Sequence, residues 1–461
     1  MAKTWANGLD LHLDLTGTRV RTQLETALRD AIRSGRLAAG TRLPPTRTLA
    51  ADLGVARNTV AEVYSQLVAE GWLSARTGSG TSVASRAAPP PEPDPADSAA
   101  VSRRRYDLRP GEPDLSAFPR GAWLAAARRA LAASSDAVLG YGDPRGLPVL
   151  RAALAEYLAR ARGVVAQHGG GNIVICSGFA HGLEVVSRAL LATGARTLAV
   201  EQYGHQAHRD IAMRQGLRLH PVPLDASGAV AGAADADAAL LTPAHQFPLG
   251  MTLAPHRRRA FTGRVGIIIE DDYDGEFRYD RQPVGAMQAL APDHVVYCGT
   301  ASKSLAPGVR LSWLVVPSRL LDAVVAALGG GPSALDQLVL AELIATGGYD
   351  RQIRRVRLAY RRRRDRLVAA LAPFGLRVSG IAAGLHALLD FPRTALELRA
   401  ETLASQHGLA VEGLRHYAFG DSAGTGTGTG TGRAGLVIGY ARPPEHAYTT
   451  ALARLCAVLS S

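Results

Sequence analysis

Lysine is almost missing from this chain of 461 residues. Lys3 and Lys303 are the only two, against a combined total of 52 lysines and arginines. Arginine supplies positive charge nearly everywhere, so an interior lysine marks a place where an amine able to lose its proton is wanted rather than a bare charge. Cysteine is equally sparse: Cys176, Cys298 and Cys456 are far apart, odd in number and without C-x-x-C spacing. That excludes a disulfide framework and a cysteine zinc site, and it fits a reducing, cytoplasmic compartment. No run of about 18 apolar residues occurs, so no membrane span is expected. Met1 to Leu15 lacks a continuous apolar segment, so no signal peptide is expected either.

The length calls for two or more folded units, and 47% hydrophobic residues can build a large core. The formal charge of +12 suits a polyanionic partner such as nucleic acid, although many surface arginines would produce it without one.

Along the chain, Leu24, Leu28 and Ile32 recur at helical spacing up to Gly35. Pro44-Pro45-Thr46 opens a second helix that ends at Gly54. Asn58 or Thr59 can cap a third, with Val60, Val63, Leu67 and Val68 inside and Gly71 at its end. Trp72-Leu73 and Thr81-Ser82-Val83 flank Gly78-Ser79-Gly80, the pattern of a hairpin with a glycine-rich tip. Prolines then crowd residues 86–95, favouring an extended linker. From about 106 onward, apolar strand-like runs such as Val265–Ile269, Val295–Cys298 and Leu311–Val316 alternate with helical stretches, which argues for an α/β domain with a mostly parallel sheet. Gly424–Gly432 is a Gly-Thr repeat of low complexity.

The third helix opens with Arg57-Asn58-Thr59. Side chains at the start of such a helix can meet base edges in a major groove. Arg57 can donate bidentately to guanine, while Asn58 and Thr59 can reach a base edge or a phosphate. Arg47 suits a phosphate contact, and Gly78, Ser79 and Gly80 would let a wing tip approach the backbone or minor groove. The fixed spacings of Gly35-Arg36-Leu37, Gly40-Thr41-Arg42-Leu43-Pro44, Leu53-Gly54-Val55, Arg57-Asn58-Thr59-Val60 and Glu70-Gly71-Trp72-Leu73 together resemble the GntR-type winged helix-turn-helix.

A second constellation starts at Lys303, just past the strand-like Val295–Cys298. Burial and nearby cations lower a lysine's pKa and free its amine for a Schiff base. Thr300, Ser302 and Arg310 can hold a phosphate. The apolar run Val265–Ile269 ends in Glu270-Asp271-Asp272-Tyr273, and an aspartate there can keep a pyridine nitrogen protonated; a metal-binding or solvated acidic turn is the other reading. Ser177-Gly178-Phe179-Ala180 joins a strand to a helix, where backbone amides can bind phosphate.

In this order the pieces resemble fold-type I pyridoxal-phosphate enzymes, and more closely the MocR/GabR regulators, which join such a domain to a GntR-type reader. Gly111-Glu112-Pro113-Asp114, Tyr141-Gly142-Asp143-Pro144-Arg145-Gly146, Thr242-Pro243-Ala244-His245-Gln246-Phe247-Pro248 and Gly299–Arg310 carry that likeness. The resemblance implies an α/β chain with a winged helix-turn-helix over 12–84, a linker over 85–105, and an aminotransferase-like effector and dimerisation domain over 106–461 that adds a smaller α+β subdomain. It implies pyridoxal phosphate on Lys303, Asp271 ahead of Asp272 on the ring nitrogen, and Tyr273 at the ring oxygen. Phe179 and Ala180 amides, Thr300, Ser302 and Arg310 would hold phosphate, with Tyr141 reaching the phosphate of the neighbouring subunit. Arg442 matches an arginine that binds a ligand carboxylate. Two departures stand out. The usual asparagine is replaced, with His245 or Gln246 in its place, and Tyr203 stands where proline is usual, leaving His205 to stack on the cofactor.

The expected partners are operator DNA, a small amine or amino acid effector, and a second copy of the chain, with no metal and no membrane. Three functions fit: a cofactor-dependent regulator, a working aminotransferase with an accessory DNA domain, or a DNA-binding protein whose second domain only dimerises. The arginine run Arg354–Arg366 reads as a solvated or dimer-contacting helix face, with DNA phosphate binding as the second choice.

Overall fold

The computed structural model describes residues 20–76, 80–84, 106–279, 284–419 and 433–461. The expected linker, Gly78, Ser79 and the Gly-Thr repeat lie outside them. The chain divides into two units, with the division falling at Pro95.

In the first unit, α1 (Val20–Arg33), α2 (Thr46–Leu53) and α3 (Arg57–Ala69) precede a hairpin of β1 (Leu73–Arg76) and β2 (Gly80–Val83). Leu24, Leu28, Leu49, Val60, Val63 and Leu67 bury the facing helix stripes, and Leu73 and Val83 close the core from the hairpin. Tyr64 joins them, its hydroxyl donating to the Pro44 carbonyl at 3.0 Å. Gly54 ends α2 in the left-handed region at φ 68°, where a side chain would be strained. The start of α3 differs from the sequence expectation. Ala56, in extended conformation, is the cap and makes no side-chain hydrogen bond, so Asn58 and Thr59 fall inside the first turn. Arg57 and Asn58 are thereby exposed at the helix start, opposite the buried Val60 and Val63.

The second unit is built on a seven-stranded sheet of β3 (Ile173–Cys176), β4 (Thr197–Glu201), β5 (Arg218–Val222), β6 (Ala238–Leu241), β7 (Ile267–Asp271), β8 (Val295–Thr300) and β9 (Ser312–Val315). The spatial order is β3-β9-β8-β7-β6-β4-β5. Only β9 runs antiparallel to its neighbours. Strands β3 and β6 to β9 are buried along their length, whereas the edge strand β5 (Arg218–Val222) is partly exposed. A smaller four-stranded antiparallel sheet follows, its strands Val378–Ser379, Ala387–Phe391, Ala434–Ile438 and Glu412–Gly413. It packs with the helices Gly348–Leu371 and Glu445–Ser460 around Tyr360, Leu389, Leu436 and Tyr448.

Two buried arginines fasten this unit. Arg162 grips Asp272 with two hydrogen bonds of 2.6 and 2.9 Å, and its third nitrogen donates to the Gly275 and Val284 carbonyls. Arg363 departs from the expectation of a solvated arginine face. It is buried, bonds Asp114 at 2.7 Å and Glu445 at 2.9 Å, and caps the Ala441 and Pro443 carbonyls. Its neighbours Arg354, Arg361, Arg362 and Arg366 are exposed, as expected. No helix among the described residues is long and apolar enough to cross a membrane.

Arg162→Ala leaves the Asp272 carboxylate buried without its cation. Loss of one partner from such a pair costs about 3–5 kcal/mol, so urea denaturation of the variant should show a midpoint shift of that size; a shift within about 0.5 kcal/mol, the scale of a surface substitution, would contradict this assignment.

Candidate functional site

The carboxyl ends of the parallel strands converge on one cavity, where ligands of open α/β sheets are bound. Val200 and Glu201 from β4, Asp271 from β7 and Thr300 from β8 line it, with Phe179, His205, Tyr273, Ser302 and Lys303. Seven of the residues picked out in the sequence thus meet in one place: Lys303, Asp271, Tyr273, Thr300, Ser302, Phe179 and His205.

Lys303 donates to the Gly111 carbonyl at 2.5 Å. Burial pulls its pKa down, against the pull of Asp271, Asp274 and Glu112 in the other direction. The Asp271 side chain is buried and has no hydrogen-bond partner among the described residues; burial holds its carboxyl well above the usual range despite the nearby lysine. Asp272 points elsewhere, bonded to Arg162 and to the Tyr297 hydroxyl at 2.8 Å. Of the two adjacent aspartates, only Asp271 lines the cavity.

At the other end, β3 runs through Ser177-Gly178 into the helix Phe179–Ala192. Gly178 has φ 89°, and a Cβ there would sit 3.3 Å from an Arg310 guanidinium nitrogen. Arg310 therefore lies over the start of that helix, where free backbone amides favour an anion. Thr300 Oγ1 donates to the Ser302 hydroxyl at 2.9 Å, which places both hydroxyls on the same turn.

His205 stacks on Phe247, with ring centroids 4.0 Å apart and planes at 13°. His208 lies 5.1 Å from His205 and 4.6 Å from Phe179. Burial, reinforced by Lys303, lowers the pKa of both imidazoles, that of His208 to about 4. His245 and Gln246 take different places. Gln246 spends its side chain on the backbone of Tyr203, Phe247 and Leu249. His245 sits behind Tyr273: its Nδ1 is 2.8 Å from Asp274 and 3.1 Å from the Tyr273 hydroxyl. His245, Asp274 and His386 bring potential metal-ligating atoms within 4.8 Å of one another, but the first two are already hydrogen-bonded together.

Ala180, His245, Arg310, Tyr141 and Arg442 do not line the cavity. The Ala180 side chain is exposed on the first turn of its helix, beside Phe179. Tyr141 is fully exposed. Arg442 is ion-paired within the chain, to Asp107 at 3.2 Å and to Glu112 at 2.9 Å. The cavity also holds residues to which the sequence reading gave no role at the site: Gly111, Glu201, His208, Phe247 and His386. Glu201 at the end of a strand-like run was the one available signal.

An α/β domain whose strand ends gather a lysine, an aspartate and a helix start beneath an arginine, headed by a winged helix, defines the class: a DNA reader joined to an aminotransferase fold. Residues 21–83 match the family described as bacterial regulatory proteins, gntR family, and residues 107–433 match aminotransferase class I and II. The chain is 34% identical to the HTH-type pyridoxine biosynthesis transcriptional regulator PdxR of Corynebacterium glutamicum, over 96% of each chain. It is 35% identical to the probable rhizopine catabolism regulatory protein MocR of Rhizobium meliloti, over 75% of this chain and 76% of that one. An archaeal alanine:glyoxylate aminotransferase shares the fold, with a TM-score of 0.69 and 20% identity over 79% of this chain and 94% of the other. The chain belongs to the MocR-type transcriptional regulators, in which a gntR-family reader is joined to an aminotransferase class I and II domain.

Burial pushes Glu201 up to about 7, against hydrogen bonds from the Thr242 amide and hydroxyl that favour its charge. The folded chain therefore holds this proton more tightly than the unfolded one, and the resulting stability is present at low pH and lost as pH rises through about 7. Glu201→Gln should remove roughly 3 kcal/mol of pH dependence between pH 5 and 8. Thermal unfolding across that range checks it: an equal pH slope in wild type and variant would contradict the assignment.

Proposed function

We propose that the chain is a DNA-binding transcription regulator whose second domain binds pyridoxal phosphate through Lys303 and senses it, or an amine or amino acid joined to it. The observation that carries this reading is the convergence of Lys303 and Asp271 in one cavity of a chain that begins with a winged helix. The residues fit the cofactor. Asp271 offers a carboxylate without a hydrogen-bond partner among the described residues, and Gly178 leaves room beneath Arg310 for an anion.

When bound, pyridoxal phosphate supplies an aldehyde for amines and a ring that withdraws electrons. Lys303, its proton loosened by burial, would hold the aldehyde carbon. Asp271 would keep a proton on the ring nitrogen. Tyr273, whose hydroxyl donates to the His245 carbonyl at 3.1 Å, would face the ring oxygen. Thr300, Ser302, Arg310 and the Phe179 and Ala180 amides would hold the phosphate, and His205 would cover a ring face. A homodimer is supported by exposed apolar residues along 115–149, Leu124, Leu131, Leu139 and Tyr141 among them; in it Tyr141 reaches the neighbouring subunit's phosphate. Arg442 receives a ligand carboxylate. The likeness to a pyridoxine biosynthesis regulator supports pyridoxal phosphate itself as the signal. In the reader, Arg57, Asn58 and Thr59 face base edges, and Arg47 and Gly80 face phosphates.

A ligand alters transcription in this scheme only by binding two conformations with different affinity. The presence of Lys303, Asp271, Tyr273 and Arg442 also permits turnover, and steady keto-acid production from a common amino donor would favour the enzymatic reading instead.

Two measurements test the proposal. Purified protein should gain a visible absorption band with pyridoxal phosphate, absent in Lys303→Ala; equal bands in both would refute the site. Arg57→Ala should abolish operator binding in a mobility-shift titration, whereas Arg47→Ala should weaken binding to all DNA and lower the salt slope by about one. Unchanged DNA binding in both variants would count against the reader assignment.

A further inference from the structure

The guanidinium expected to receive a ligand carboxylate already holds carboxylates of its own chain. Arg442 bonds Glu112 at 2.9 Å and Asp107 at 3.2 Å. The two are not equivalent. Asp107 is also held by Arg109, which donates to both its oxygens and closes a pair at 2.7 Å. Glu112 forms an ion pair with Arg442 alone among the described residues. It follows directly on Gly111, whose carbonyl takes the Lys303 ammonium.

The backbone enforces this arrangement. Gly439, at the head of Gly439-Tyr440-Ala441-Arg442, donates to the Leu108 carbonyl at 2.6 Å. A Cβ on Gly439 would fall 2.3 Å from the Arg109 carbonyl oxygen, so only glycine permits the approach. The Arg442 loop and the segment Asp107–Glu112 are therefore locked side by side, with Glu112 reaching Arg442 from within the chain. The side chain of Glu112 is 41% exposed and that of Arg442 22%, so the pair is open to exchange.

We propose that Glu112 is a specificity-determining residue: an internal carboxylate that occupies Arg442 and must be displaced by the carboxylate of an incoming amino acid. The inference rests on the proposed cofactor site and deepens it by naming the ligand class. An amine that carries a carboxylate exchanges one ion pair for another at Arg442, whereas an amine without one leaves Glu112 in place. The chain thus discriminates between the two by less than an unoccupied arginine would, and it releases the segment Asp107–Glu112 only for the carboxylate-bearing class. That segment holds Lys303 as well, through Gly111, so cofactor and ligand loosen its two tethers together. It follows in sequence on the proline-rich stretch that leads from the DNA reader.

The test uses the full chain loaded with pyridoxal phosphate, titrated with L-alanine and with ethylamine and followed by the visible band. Removing a partly exposed competing ion pair should raise the ratio of alanine to ethylamine affinity about fivefold in Glu112→Gln. Arg442→Gln should lower that ratio below wild type, and Glu112→Gln should have no further effect on it in the double variant. Retention of the band with pyridoxal phosphate reports that each variant is folded and loaded. An unchanged ratio in Glu112→Gln with the band intact overturns the role of Glu112 and leaves the cofactor site standing. A rise of the same size in the Arg442→Gln background overturns it too, because Glu112 would then act elsewhere. Absence of any band in wild type overturns the cofactor site and this inference with it.

Discussion

Side chains on a β-strand alternate between its faces, and at the end of β7 that alternation separates Asp271 from Asp272. Asp272 turns to Arg162 and Tyr297 and becomes part of the packing. Asp271 turns to the cavity and meets the field of Lys303. The buried pair holds the strand end in register with β8, so the carboxylate and the lysine-bearing turn share one mouth. Without a cation for Asp272, its buried carboxylate would be left uncompensated and the strand end would lose its anchor.

The cavity has an electrostatic character that follows from how little water reaches it. His205, His208 and His386 are held neutral by burial, with Lys303 adding to the effect. Neutral imidazoles give flat, polarisable walls without adding charge beside the lysine. Lys303 is lowered by the same desolvation, which favours the nucleophilic amine. A flat ring with one basic nitrogen and one phosphate complements these walls: a carboxylate at one end, an anion cradle at the other. In a chain headed by a DNA reader, such a site serves regulation when occupancy changes the relative stability of two conformations.

Much of this was legible before any coordinates. Scarcity singled out Lys303, an apolar run ending in acids marked the stretch Glu270–Asp272, and the family resemblance put Asp271 ahead of Asp272. Glycines at the turns marked Gly178 and Gly54, and both adopt positive φ. The winged-helix spacings located α1 to α3. Other features stayed hidden because they depend on residues far apart in sequence. Arg162 and Asp272 are 110 residues apart, and Arg363 and Asp114 are 249 apart. In a run of arginines nothing local distinguishes Arg363 from its exposed neighbours; only its place on the inner face of the helix Gly348–Leu371 does. The stacking of His205 on Phe247 and the seating of His245 behind Tyr273 were equally out of reach, since both depend on the small subdomain and sheet closing around one loop.

By itself the sequence determined the kind of chain: a helical reader, a proline-rich stretch, and an α/β unit with one interior amine and an acidic strand end. These are local properties, set by periodicity, turn chemistry and the absence of competing lysines. The tertiary structure alone decided which carboxylate faces the lysine, which arginine is buried, and which internal acid occupies Arg442. Those choices belong to pairs brought together across the fold, where burial strips away water and makes the strength of a charge depend on its nearest partner rather than on its neighbours in sequence.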